Sequence, residues 1–151
     1  MSFWSNMRVS SAALSAQRLR LDLISNNIAN AQTTSTEAGG PYKRQDVFFK
    51  AQGNQAGLPD FIANRLASKM PIAESQYGVQ VAKIVTDQTT GAKVYDPSHP
   101  DSDAEGYVTY PNVDLVTEMT NMLSATRSYE ANLAVVDASK NLAYKALNIG
   151  K

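Results

Sequence analysis

Two stretches of the chain carry apolar residues at alternating spacings of four and three, the period of a helix with one buried seam. The first runs through Phe3, Met7, Ser10, Leu14, Gln17, Leu21, Ile24, Ile28 and Ala31, with Ser10 and Gln17 as its polar members. The second runs through Leu115, Met119, Met122, Thr126, Tyr129, Leu133, Val136, Lys140, Ala143 and Leu147. The spacing therefore predicts a helix at each end. The first, over 3–31, spans about 42 Å, and the second, over 112–149, on the order of 55 Å. Asn26, Asn27 and Asn30 supply a stop signal for the first, as helix caps or as amides available to a neighbour. Asn112 reads as the N-cap of the second, Asp114 suits its dipole, and Gly150 suits its end.

Each helix carries a second apolar stripe. On the first it is Ala12, Ala16, Leu19 and Leu23; on the second it is Ala131, Val135, Ala138, Leu142, Ala146 and Ile149. At 100° per residue these lie roughly opposite the seams. Two helices packed on each other hide one stripe apiece, so the other needs a further partner. Leu14, Leu21 and Ile28 are expected to pack within the subunit. Leu19, Leu23, Val135 and Leu142 are expected to pack between subunits, although exchanged roles fit the pattern too.

Between the helices the pattern changes to short period-two runs. Residues 42–51 and 77–86 read as strands, with 93–96 and 106–110 as two shorter ones. Residues 52–76, with Gly53, Gly57, Pro59 and Pro71, read as a loop insertion. The expected fold is mainly α with a small β region (α+β). Residues 1–31 and 112–151 form one antiparallel, coiled-coil-like helical domain, and 32–111 form a loop-rich β-containing middle.

Composition narrows the function. The formal net charge is +0, so no field draws the chain to nucleic acid. It has no cysteine, hence no disulfide and no thiol nucleophile. No run approaches the roughly 20 apolar residues of a membrane span, and the first residues lack a secretory signal pattern. His99, the one histidine, stands between Pro97 and Pro100 and reads as a turn residue. Asp101, Asp103 and Glu105 resemble half of a calcium loop, but Asn112 stands where its bidentate Glu belongs. No catalytic residues, cofactor or metal site are expected. A soluble coiled-coil scaffold or adaptor is the alternative for the helices, and a carboxylate-based enzyme or calcium binder the alternative for the acidic turn.

The segments Ala13-Leu14-Ser15-Ala16-Gln17-Arg18 and Ser25-Asn26-Asn27-Ile28-Ala29-Asn30-Ala31 resemble the N-terminal signature of bacterial flagellar rod and hook proteins. Gly39-Gly40-Pro41-Tyr42-Lys43-Arg44-Gln45, Tyr95-Asp96-Pro97-Ser98-His99-Pro100, Gly106-Tyr107-Val108, Pro111-Asn112-Val113 and Lys145-Ala146-Leu147-Asn148-Ile149-Gly150-Lys151 extend the likeness toward the proximal rod proteins of that family. Residues 52–76 depart from its usual shorter pattern. The resemblance implies a structural subunit of the flagellar basal-body rod in the periplasm, exported by the flagellar type III apparatus without a cleaved signal. Its terminal helices would form a hollow shaft that surrounds the export channel and transmits torque. Its partners would be itself, other rod proteins and the hook–basal-body adaptor protein. The subunit-packing residues expected from the seams, the stripes and the asparagine run are Met7, Leu14, Leu19, Leu21, Leu23, Ile24, Asn26, Asn27, Ile28, Asn30, Leu115, Met119, Met122, Tyr129, Leu133, Val135, Val136, Leu142 and Leu147.

Overall fold

A computed structural model describes residues 3–51 and 78–149. The insertion read at 52–76 and the stop signal at Gly150 lie outside the described residues. The elements follow the order α1 (Phe3–Ala29), β1 (Gln45–Ala51), β2 (Val79–Thr86), β3 (Lys93–Tyr95), β4 (Tyr107–Thr109) and α2 (Leu115–Ile149). The fold is α+β: two terminal helices and two antiparallel two-stranded sheets, β1–β2 and β3–β4.

α1 stops where its asparagines begin to bond locally. Asn30 donates to the Asn26 carbonyl from both its backbone N–H (3.0 Å) and its side-chain amide (2.9 Å). Two bonds to one carbonyl of the last turn are thus supplied by one residue, and among the described residues positive φ occurs only at glycines, none of them at the end of α1. α2 starts two residues later than Asn112 predicts. Asp114 is the cap: its carboxylate accepts from the Val116 N–H at 3.1 Å and from the Thr117 hydroxyl, while its carbonyl accepts from the Glu118 N–H at 2.9 Å. Asn112 instead donates to Asp87 at 3.3 Å.

The Asp114 carboxyl is held below its ordinary 3.8 by the Thr117 hydroxyl first and the Val116 N–H second. Asp87, Asp96 and Asp103 are lowered likewise, mainly by Thr89, Ser98 and Tyr107 respectively. A carboxyl lowered on folding stabilises the fold above its unfolded value, and that stabilisation is lost as pH falls through the folded one. Asp114→Ala should therefore lower the melting temperature by roughly 2–4 °C at neutral pH. Melts followed by circular dichroism should show the gap closing as the pH falls through the lowered folded value, where the wild-type cap is itself protonated.

β1 pairs with β2 from Gln45↔Thr86 to Ala51↔Val79, with a register shift between Phe48 and Phe49. Both strands pack on α1. α2 packs along α1 and along no other described helix or strand. The end of α1 lies beside the start of α2, as the Asn27–Glu118 bond shows, so the helices run antiparallel. Among the described residues the buried apolar side chains are few: Ala16, Leu23, Ile24, Val47, Val108 and Ala125.

Candidate assembly surface

The buried positions of α1 are Ser10, Ala16, Leu23, Ile24 and Asn27. They lie between the two predicted stripes and take members from both, because α1 has two neighbours, α2 and the β1–β2 sheet. Leu23, expected at a contact between subunits, is 6% exposed and packs within the chain. Met7, Leu14, Leu19, Leu21 and Ile28 are half-buried. The outward stripe of α1 is mostly polar: Trp4, Arg8, Ser11, Ser15, Arg18, Asp22, Ser25 and Asn26. The first helix therefore does not offer a second bare apolar face.

α2 differs. Its inward positions are Glu118, Met122, Ala125, Tyr129, Asn132, Val136, Ser139 and Ala143, again spaced by four and three. Four of the ten predicted seam positions face inward, namely Met122, Tyr129, Val136 and Ala143. Four more are displaced by one residue, and Leu115 and Leu147 are exposed. Glu118, Ala125, Asn132 and Ser139 turn inward, where Met119, Thr126, Leu133 and Lys140 were expected. Small residues there, with Ser10 and Ala16 on α1, allow close approach of the helix axes. The consequence is that α2 points its large apolar side chains outward. Leu115, Val116, Met119, Leu123, Leu133, Val135, Leu142, Leu147 and Ile149 are all exposed, Val116 at 73% and Leu142 at 68%. Each Leu-sized group left in water forgoes about 1.5–3 kcal/mol of possible burial. They spread around the solvent side of the helix, and exposed apolar groups in that number mark an interaction surface.

One polar cluster fixes where that surface stands relative to the β region. Asn27 and Glu118 are each only 1% exposed. The Asn27 amide grips the backbone of Gln45 in both directions. Its Nδ2 donates to the Gln45 carbonyl at 2.8 Å, and its Oδ1 accepts from the Gln45 N–H at 2.9 Å. The same Oδ1 accepts from the Tyr42 hydroxyl at 3.0 Å, and Nδ2 also donates to Glu118 Oε2 at 3.1 Å. Arg44 closes the cluster by donating from Nε at 2.9 Å and from NH2 at 2.8 Å to Glu118 Oε1. Its NH1 meets Asp46 at 3.2 Å. Burial raises the Tyr42 hydroxyl above its usual 10.0, with the Glu118 charge adding to it. Burial pulls the other way on Arg44, but the Glu118 carboxylate outweighs it and holds the guanidinium charged. Three elements meet here: the end of α1, the start of β1 and the first turn of α2. Tyr42, Arg44 and Glu118 were not foreseen as site residues. No sequence signal marks them, because the apolar spacing of the second helix turns Met119 inward in place of Glu118.

Among the described residues no three His, Cys, Asp or Glu side chains converge as a metal site would need. The Asp101 carboxylate accepts from Thr34 at 2.6 Å, while Asp103 accepts from the N–H groups of Glu105 and Tyr107. His99 Nδ1 accepts from the Asp101 N–H at 3.1 Å, a turn contact. No described helix is long and apolar enough to cross a membrane.

A helical pair with a satisfied polar junction inside and bare apolar side chains outside defines a subunit of a larger helical assembly. Comparisons with known proteins agree. The family model "Flagella basal body rod protein" matches residues 7–35, and "Flagellar basal body rod FlgEFG protein C-terminal" matches residues 104–149. The flagellar basal-body rod protein FlgC of Borreliella burgdorferi is 44% identical, over 99% of this chain and 98% of its own length. The FlgC proteins of Bacillus subtilis (41%, all of both chains) and Salmonella typhimurium (36%, 95% of this chain and 94% of the other) are similar as well. The chain belongs to the flagellar basal-body rod protein FlgC family.

Proposed function

We propose that the chain is a structural, non-catalytic subunit of the proximal rod, polymerising through its terminal helices into the hollow drive shaft of the flagellum. The observation that carries this reading is the outward face of α2, whose large apolar side chains no other described helix or strand covers. Contacts of that kind repeated from subunit to subunit, without closing into a ring, build a helical filament. Torque then passes through dense lateral packing, and no chemistry is required of the chain. Leu115, Met119, Leu133, Val135, Leu142 and Leu147 would make the contacts between subunits. Met7, Leu14, Leu19, Leu21, Ile28, Met122, Tyr129 and Val136, half-buried already, would complete the helical layer. Leu23, Ile24 and Asn27 would set its shape from within, while Asn30 would end α1 and leave Asn26 free to face a neighbour.

The place of action would be the basal body within the periplasm, reached through the flagellar type III apparatus without signal cleavage. Other rod proteins and the hook–basal-body adaptor protein would join it there. The test is deletion of the gene in its own bacterium. Cells should lose swimming and lack a rod in purified basal bodies, and a plasmid copy should restore both, with the chain itself recovered in the particle. Motile deletants, or basal bodies that complete their rods without the chain, would refute the reading.

A further inference from the structure

The β3–β4 hairpin presents a surface that the helical contacts do not use. Lys93↔Thr109, Val94↔Val108 and Tyr95↔Tyr107 pair, and paired residues share a face. Val108 is fully buried and its pair Val94 is 47% exposed, so that face is covered at Val108 only. The opposite face carries Tyr95 and Tyr107, exposed at 64% and 40%, with ring centroids 5.3 Å apart at 67°. The platform is built rather than incidental. Gly106 takes a φ of +81°, and a Cβ there would stand 3.0 Å from the Tyr95 ring and 3.3 Å from Pro97. Only glycine lets the ring lie down on the turn. The segment joining the two strands carries Asp96, Asp101, Asp103 and Glu105, and β3 itself carries Lys93. Exposed tyrosine faces with an acidic rim suit a cationic side chain presented on a polar surface.

α1 offers such a surface. It holds three arginines against one aspartate, Asp22, so it is the basic element of a chain whose net charge is +0. Arg18 stands exposed on its outward stripe, with no hydrogen bond or ion pair to the described residues. The exposed charges of α2 are balanced by comparison: Arg127, Lys140 and Lys145 face Glu130 and Asp137. The hairpin does not touch α1 of its own chain. It is tethered beyond the end of that helix by the Thr34–Asp101 bond. Arg18 lies about 16 Å back along the axis from Ala29.

We propose that the tyrosine platform of one copy docks on the outward α1 stripe of a second copy, with Arg18 seated over Tyr95 and Tyr107 and drawn by Glu105 and its acidic neighbours. This rests on the rod-subunit reading and adds a second contact to it. Donor and acceptor are different surfaces of one chain, so the contact is head-to-tail and continues from copy to copy instead of closing as a dimer. It would lock neighbours that the apolar α2 face, being non-directional, holds without fixed register.

The chain has no cysteine, which makes the test clean. A chain carrying both Arg18→Cys and Glu105→Cys, expressed in the deletion strain, is treated with a short bifunctional maleimide in isolated basal bodies. A ladder of dimers, trimers and longer products is expected, and neither single variant should give one. Separately, Arg18→Glu and Glu105→Arg should each reduce incorporation into basal bodies roughly tenfold, and the double reversal should restore it. Absence of the ladder, or no recovery in the double reversal, overturns the docking. A Leu123→Cys control on α2 separates the two readings. If its thiol is shielded in the same particles while the hairpin pair fails to link, only the docking falls. If the chain is missing from the particles, both fall.

Discussion

Val116→Asp and Leu142→Asp are expected to leave the isolated subunit folded, with a melting temperature within about 2 °C of wild type, and to abolish swimming. Neither side chain supports the fold, since both are more than two-thirds exposed and α2 meets no described element but α1. In an assembly each carboxylate would be pressed into an apolar contact without a partner. That costs several kcal/mol per site, and the cost recurs at every subunit of a polymer. Swimming plates of the complemented deletion strain, with circular dichroism of the purified variants, make the comparison. A motile Leu142→Asp strain would remove that residue from the contact. Leu23→Asp would not serve here. Leu23 is buried in the subunit, so loss of motility there would report only a damaged fold.

The second large effect lies at the polar junction. Glu118→Ala should destabilise the subunit by about 3 kcal/mol, the lower end of the range for breaking a buried ion pair, because Arg44 keeps 23% side-chain exposure. Asn27→Leu should cost about 2–4 kcal/mol by leaving the Gln45 backbone groups and the Tyr42 hydroxyl unpaired. Either loss is a large share of the total for a domain of this size. Urea denaturation measures both. A loss below about 1 kcal/mol would mean that water replaces the missing partners and that the junction is not sealed.

The junction explains why a chain with so few buried apolar residues holds one shape. Hydrophobic contact alone lets two helices slide in register. An amide that binds one backbone residue in both directions does not. Glu118 has its carboxylate shared between Asn27 and Arg44, so α1, α2 and the segment entering β1 meet in one arrangement. The large apolar groups are then free to face outward.

The ends of the elements were legible because they are local. The asparagine run stops α1 at Ala29, two residues before the seam at Ala31 runs out. The period-two runs become β1 to β4 within a few residues of their predicted bounds. The cap of α2 was misplaced because Asn112 and Asp114 are both good caps, and tertiary pairing of Asn112 with Asp87 decides between them. The seam of α2 was partly misread for a deeper reason. Periodicity arguments assign apolar residues inward, whereas this helix keeps Met119 and Leu133 outward and buries Glu118, Ala125, Asn132 and Ser139. A subunit made to be covered by its neighbours inverts that assumption. The polar cluster joins residues 15 to 91 positions apart, and no local pattern shows it.

In the proposed shaft the outward face of α2 is a contact between subunits. Single cysteines at Leu123, Val135 and Leu142, in a chain that otherwise has none, test it directly through their rate of reaction with a maleimide. All three should label fast in the purified subunit, and at least roughly tenfold more slowly in isolated basal bodies once the groups are buried in the assembly. Equal rates in the two states would contradict it.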